Sequence, residues 1–296
     1  MMQNIGLELQ SSTGAFNVTK KEAGYQPRIL DLCMAPGGFL FTAMQCNPGA
    51  IVTAYSLPFE AGGHRVLLPE NENIKTTMLD ITMLAADMDA NDIPEGHPDF
   101  SNFLPKQFSG DREFDIVLCD GQVLRTQLRA DYRAHSEGRR LSVTQLALGI
   151  EHLRPGGTMV VLLHRLDGWI TLELVQLFAQ FSSIKLFKPP RAHAKRSSFY
   201  MVATNVQVEH PEALRAVQSW KHLFKVATFG GVEEYKQLVH IDSTWAEAIV
   251  KDFGPTLVQL GRPIWAVQAR ALAKAPFIKG SSAASQASLQ WRRDSK

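Results

Sequence analysis

The chain has 296 residues, 45% of them hydrophobic and 20% charged, enough for one large α/β core and too apolar for a disordered protein. A net charge of +2 and a pI of about 8.4 leave anionic and neutral partners equally open, so only local clustering of charge is informative. The three cysteines, Cys33, Cys46 and Cys119, cannot all pair and show no zinc-type spacing, which argues against a disulfide framework or a metal centre and for buried free thiols in a reducing compartment.

In chain order, residues 1–27 are expected to be a helical lead-in without the basic-then-apolar order of a signal peptide. Apolar runs at 29–34, 50–56, 74–78, 114–119, 158–163, 184–187 and 198–206 predict strands. Helical patterns separate most of them. Val143, Leu146, Ile150 and Leu153 fall on one helix face, and Arg154-Pro155-Gly156-Gly157 stops that helix. This alternation predicts βαβ units: an α/β fold with a mostly parallel sheet and helices on both faces.

The loop between 187 and 198 holds a Pro-Pro and a run of basic residues, with no room for a helix. The last two strands are therefore expected to form an antiparallel hairpin at the sheet edge. Residues 88–113, rich in Asp, Gly, Pro and Asn, read as a surface loop. Beyond 206 the pattern turns helical. Trp245, Ile249, Phe253 and Leu257 recur every four residues, and Gly254-Pro255 is expected to break that helix. Residues 207–279 thus predict a helical cover packed on the domain at 28–206, and 280–296 a disordered tail. Trp169, Trp220, Trp245 and Trp265 read as packing between helices and sheet. No run of about 18 apolar residues occurs, so no spanning helix is expected, and the cytoplasm or nucleus is the expected location.

The segment Ile29-Leu30-Asp31-Leu32-Cys33-Met34-Ala35-Pro36-Gly37-Gly38-Phe39 runs from an apolar strand through a turn of small residues into a helix. A ligand approaches backbone closely only where side chains are absent, and the amides at a helix N-terminus attract a carboxylate. Strand, glycine turn and helix in that order form the ligand crevice of a doubly wound sheet. The turn is not GxGxxG, which weakens a dinucleotide reading.

These residues resemble the DLxxAPGGF signature of the FtsJ-like RNA 2′-O-methyltransferases. Further segments carry the likeness across 28–206: Thr77-Met78-Leu79-Asp80-Ile81, Phe114-Asp115-Ile116-Val117-Leu118-Cys119-Asp120-Gly121, Leu153-Arg154-Pro155-Gly156-Gly157, and Lys188-Pro189 followed by Arg196-Ser197-Ser198-Phe199-Tyr200. The resemblance implies a class I, Rossmann-like methyltransferase domain that binds S-adenosylmethionine and releases S-adenosylhomocysteine. It carries over Asp31, Cys33, Ala35, Pro36, Gly37, Gly38 and Phe39 to the methionine part, Asp80 and Ile81 to the adenine, and Asp120 to the methyl group. The ribose would meet Ser56 and Leu57, where methyltransferases usually place an acid.

The family works with a Lys-Asp-Lys-Glu set, of which Asp120 matches. Leu162 stands where the second Lys is expected, and Phe199 where the Glu is expected. Lys20 and Lys21 lie close to the glycine turn for the first Lys, and an upstream segment could be missing. His164 shares the strand face of Leu162 and is the first candidate to replace the lost base; Lys188 and His193 follow. The plainer alternatives are a structural histidine and, for Asp120, a strand-end cap.

Two basic clusters could hold RNA. Arg125, Arg129 and Arg133 form one stripe if helical, with Arg139 and Arg140 after them; Lys185, Lys188, Arg191, Lys195 and Arg196 form the second. A solvated charged face explains them equally. Glu60-Ala61-Gly62-Gly63-His64-Arg65 is either a second anion loop or a turn that shapes the adenosine site. The resulting expectation is methyl transfer to an RNA ribose, with a small-molecule acceptor or a cofactor- and RNA-binding protein without turnover as alternatives.

Overall fold

The computed structural model describes residues 1–18, 22 and 24–275; Lys20, Lys21 and the expected tail at 280–296 lie outside them. Seven strands form one sheet: β1 (Arg28–Asp31), β2 (Ile51–Ser56), β3 (Ile74–Met78), β4 (Phe114–Cys119), β5 (Leu153–His164), β6 (Ser183–Phe187) and β7 (Ser198–Val206). Their order across the sheet is β3-β2-β1-β4-β5-β7-β6. β1 to β5 pair in parallel, and β7 runs antiparallel between β5 and β6. This is the class I methyltransferase topology. The reversal of strand order between β1 and β4 opens a crevice at their C-terminal ends.

Alternation along the central strands divides the core. Ile29, Val52, Ala54, Ile116, Leu118, Val160, Tyr200 and Val202 face α1 (Met2–Thr13) and α2 (Gly38–Cys46). Leu30, Val117, Cys119, Val161, Leu163, Phe199, Met201 and Ala203 face the other way. There they pack against α3 (Glu137–His152), α4 (Trp169–Phe181) and α5 (Pro211–Phe229). Both faces of the central strands are covered, which explains why those strands read as continuous apolar runs.

The structure departs from the sequence expectation in a few elements. β1 ends at Asp31, because the chain then turns toward the crevice. β5 begins at Leu153 and takes in the Pro-Gly-Gly turn through register shifts against β4 and β7. The expected break at Gly254-Pro255 does not occur: α7 (Ser243–Ala273) runs through Pro255 and Pro263. An interior proline costs about 3 kcal/mol. Here the apolar face continues on both sides, with Phe253, Leu257, Leu260 and Ile264 packed on the core, so burial outweighs the lost bond. Gly261 permits this approach, since a Cβ there would sit 2.7 Å from Leu166 Cδ2. Trp220 is buried, whereas Trp245 is half exposed and meets Trp169 edge-on. A short helix, α6 (Val232–Leu238), joins α5 to α7. Among the described residues no helix is long and apolar enough to cross a membrane.

Candidate active site

The glycine turn sits where β1 hands over to α2. Gly37 has φ of 98° and precedes the first residue of α2, a conformation that favours glycine. A Cβ there would lie 2.4 Å from Leu68 Cγ, and one at Gly38 would lie 2.8 Å from the backbone nitrogen of Gln3. The Cβ side of the turn is therefore packed by Leu68 and the chain at Met2 and Gln3, and both glycines line a cavity. The turn is held by Met34 N–H donating to the Tyr55 carbonyl at 2.9 Å and Ala35 N–H donating to Ser56 Oγ at 3.3 Å. Phe41 N–H reaches the Gly37 carbonyl at 2.9 Å, so the amides before it precede the first intrahelical bond.

The cavity has a volume of about 670 Å³, within the usual range for small-molecule sites. Cys33, Ala35, Pro36, Gly37, Gly38, Phe39, Ser56, Leu57, Asp80, Ile81, Asp120 and His164 all line it. The topology thus brings together all but two of the catalytic and cofactor-binding candidates from the sequence. Asp31 and Lys188 are the exceptions. Asp31 is buried behind the turn, where its carboxylate accepts from Cys33 N–H at 3.1 Å. Lys188 is buried under the loop at 188–198, donating to the carbonyls of Arg196 at 2.6 Å and Ser198 at 2.7 Å. Burial pulls its ammonium down to about 8. It shapes the loop that carries His193 and Arg196 into the cavity and does not itself reach the cavity.

On the β2–β3 side, Asp80 caps a short turn. Its Oδ1 accepts from Thr82 N–H at 2.9 Å and Thr82 Oγ1 at 2.7 Å, and its Oδ2 lies 3.5 Å from Arg133. Gly62 has φ of 89°, and a Cβ there would lie 1.9 Å from the Thr126 carbonyl oxygen. Thr126 Oγ1 donates to the Gly62 carbonyl at 2.7 Å and Leu128 N–H to Ala61 at 3.0 Å. The Gly62-Gly63 pair therefore lets two loops close over the cavity, where His64 and Arg65 line the wall. That is the turn-shaping alternative.

At the end of β4, the Asp120 carboxylate meets its own backbone amide and makes no hydrogen bond or ion pair with any other described residue. The following peptide is fixed by Gln145, whose Oε1 accepts from Gly121 N–H at 2.9 Å. Burial pushes the Asp120 carboxyl up to about 7. Asp31 is also raised, first by burial and then by the Asp120 charge. The thiols of Cys33 and Cys119 are pushed up chiefly by burial, which keeps them protonated and inert.

The wall opposite the turn comes from β5 and β7. Leu162 pairs with Tyr200 across the strands, and His164 with Ser198. All four line the cavity. Phe199, the residue matched to the family Glu, is fully buried in the core on the other side of the sheet. Strand alternation makes Ser198 and Tyr200 the site-facing positions, a signal present in the period of two and missed by matching residue strings. The His164 imidazole is held low by burial and then by Lys188 and Arg196, which keeps it neutral near pH 7.

The basic clusters divide. Arg125 and Arg129 are exposed in an irregular segment, so no helical stripe forms. Arg133 and Arg140 are buried. Arg133 pairs with Asp99 at 3.2 Å and Glu137 at 3.0 Å, and Arg140 with Glu137 at 2.7 Å. Both serve a buried network and are not available to RNA. Arg139 is half-buried on the same helix. In the second cluster Arg191, Lys195 and Arg196 are exposed, and Arg196 lines the cavity. Lys185 is exposed at the far edge, donating to the Thr13 carbonyl at 3.3 Å.

A family profile described as FtsJ-like methyltransferase matches residues 7–206, more than half of the chain. The chain belongs to the FtsJ-like methyltransferase family. A comparison with curated proteins finds no significant match. Among solved structures, a Plasmodium falciparum protein assigned as a ribosomal RNA methyltransferase is 16% identical. The match covers 69% of this chain and 96% of that one, with a TM-score of 0.42. The Burkholderia thailandensis 1,6-didemethyltoxoflavin-N1-methyltransferase, solved with 1,6-didemethyltoxoflavin and S-adenosylhomocysteine, is 17% identical. That match covers 70% and 78% of the two chains, with a TM-score of 0.39.

For an FtsJ-like methyltransferase, the residues present fit the nucleoside cofactor of the family. The cradle of Gly37 and Gly38 lines the cavity beside the N-terminus of α2. Ser56 is buried at the end of β2, and its Oγ already accepts a bond, leaving its proton to donate to a ribose oxygen. The family set is nevertheless altered in place. Leu162 lines the cavity where a lysine is expected, and the described N-terminal residues that reach the cavity are Met1 and Met2.

Proposed function

We propose that this FtsJ-like protein uses S-adenosylmethionine to methylate RNA at a ribose 2′-hydroxyl. The observation that carries this reading is the Asp120 carboxylate. It faces the cavity with no partner among the other described residues, between the glycine turn and a rim of exposed cations. When bound, S-adenosylmethionine supplies a methyl group on a positively charged sulfur. Gly37, Gly38 and the first turn of α2 would receive its carboxylate, Ser56 and Leu57 its ribose, and Leu79, Asp80 and Ile81 its base. Asp120 would orient the acceptor hydroxyl and accept its proton, with neutral His164 as a second acceptor. The apolar walls of Leu32, Leu79, Leu124, Leu141 and Leu162 exclude water and strengthen these contacts.

Arg125 and Arg129 on one side, and Arg191, Lys195 and Arg196 on the other, would hold RNA phosphates. A small-molecule acceptor is the second reading, favoured by those same apolar walls. The discriminating measurement is salt dependence, since phosphate contacts make affinity fall steeply with ionic strength. Asp120→Ala tests the site assignment. It should abolish methyl transfer while leaving S-adenosylmethionine affinity, measured by calorimetry, within a few fold. Transfer at the wild-type rate would reject the assignment.

A further inference from the structure

Among the polar groups that line the cavity, the Tyr200 hydroxyl has so far been given no role. Tyr200 is 3% exposed, lines the cavity, and makes no hydrogen bond to any described residue. Most buried tyrosine hydroxyls are paired, and even the half-buried Tyr25 and Tyr132 donate to Asp115 and Asp99. Packing fixes the ring: it lies 5.0 Å from the Phe39 ring centroid at 36°. Across the strands its neighbours are Leu162 on β5 and Phe187 on β6, both apolar. Tyr200 therefore holds a free hydroxyl beside the position where Leu162 has removed a cation. Burial, and then the Asp120 charge, raises the phenol above its ordinary range, so the group is a neutral O–H donor.

We propose that Tyr200 is a further catalytic residue, whose phenol O–H, reaching the cavity from β7, two strands from Asp120 at the end of β4, holds the acceptor hydroxyl. The proposal rests on the methyltransferase reading above and names the acceptor chemistry for that site. A hydroxyl entering the gap has one proton and two lone pairs. Its proton goes to the Asp120 carboxylate, and one lone pair accepts from Tyr200. The second lone pair points at the methyl carbon. As the new C–O bond forms, the S–C bond breaks and its electron pair stays on sulfur. The acceptor proton ends on Asp120, and the Tyr200 O–H stabilises the oxygen while it carries negative charge. A neutral amine has a single lone pair, which the methyl carbon takes and which leaves none to accept from Tyr200, so the Asp120–Tyr200 pair favours a hydroxyl.

The test compares wild type with Tyr200→Phe, which keeps the ring on Phe39 and removes only the hydroxyl. S-adenosylmethionine binding is measured by calorimetry. Methyl transfer is measured on a pool of unmodified RNA transcribed in vitro. Binding is measured by anisotropy, without cofactor, for one transcript made with 2′-hydroxyls and again with 2′-fluorines. The proposal expects unchanged cofactor affinity and melting temperature in the variant. It expects kcat to fall on the order of a hundredfold, as for loss of one donor to a developing oxyanion, with little change in KM for the cofactor. It also expects the wild-type preference for 2′-hydroxyl over 2′-fluoro RNA to shrink. If wild type transfers methyl and Tyr200→Phe matches it in kcat and preference, the role of Tyr200 is refuted and the reading of the site survives. If wild type binds the cofactor and transfers nothing to the RNA, the reading and the role of Tyr200 both fail.

Discussion

Arg140 is the largest fully buried side chain among the described residues, and replacing it with Met is the sharpest test of how α5 is joined to α3 and the turn after β3. Its guanidinium donates to Thr228 Oγ1 at 2.9 Å, to Glu137 Oε2 at 2.7 Å and to the Thr82 carbonyl at 3.0 Å. It also lies 5.3 Å from the Phe224 ring centroid. Thr228 and Phe224 belong to α5, Glu137 to α3, and Thr82 to the turn capped by Asp80, so one side chain ties three elements together. Methionine refills most of the volume and restores none of the donors. Glu137, 1% exposed, keeps Arg133 but loses half of its counter-charge.

Removing one partner from a buried ion pair costs about 3–5 kcal/mol, a large part of a total stability of roughly 5–15 kcal/mol. The expected fall in melting temperature is on the order of 10 °C, from about 2–4 °C per kcal/mol for a domain near this size. Urea unfolding followed by tryptophan fluorescence gives the free energy, and circular dichroism gives the melting temperature. A loss below about 1 kcal/mol, typical of an exposed pair, would refute the reasoning. Arg129→Ala, from the same sequence cluster but exposed, should change stability by less than about 0.5 kcal/mol.

Gly37→Ala forces a side chain into left-handed backbone and onto Leu68, which should cost at least about 1–2 kcal/mol and weaken S-adenosylmethionine binding; calorimetry reads the affinity, and wild-type affinity would count against the cradle. The Asp120 carboxyl, raised to about 7 in the fold from an ordinary 3.8, holds its proton more tightly folded than unfolded. Its contribution therefore favours the fold at low pH and is lost as pH rises from about 4 to about 7. Asp120→Asn should flatten that part of the stability profile, whereas methyl transfer by wild type should rise through the same window. Arg125→Ala with Arg129→Ala should weaken RNA binding and reduce the slope of log affinity against log salt by about 0.7–0.9 per lost contact, and an unchanged slope would remove these residues from the interface.

The glycine turn, the seven strands and the antiparallel end of the sheet were legible in the sequence because each is written locally. Apolar runs have a strand's length, Gly37-Gly38 interrupts them where backbone must be bare, and Pro189-Pro190 forbids a crossover helix. The cavity lining followed, since the switch point of a parallel sheet gathers strand ends at one place. Sequence spacing did not decide which charges are free. Arg125, Arg129, Arg133 and Arg140 look alike along the chain, yet two of them lie in a buried network with Glu137, their neighbour along the chain, and with Asp99 and Thr228, which only the loop at 97–103 and the packing of α5 on α3 bring near. Lys188 became a clamp under its loop, and Phe199 turned into the core, because register and burial assign each side chain a face. Local chemistry determined the elements and the cofactor turn. The tertiary structure alone determined which polar groups remain unpaired and can act, because pairing depends on distances between residues far apart in the chain.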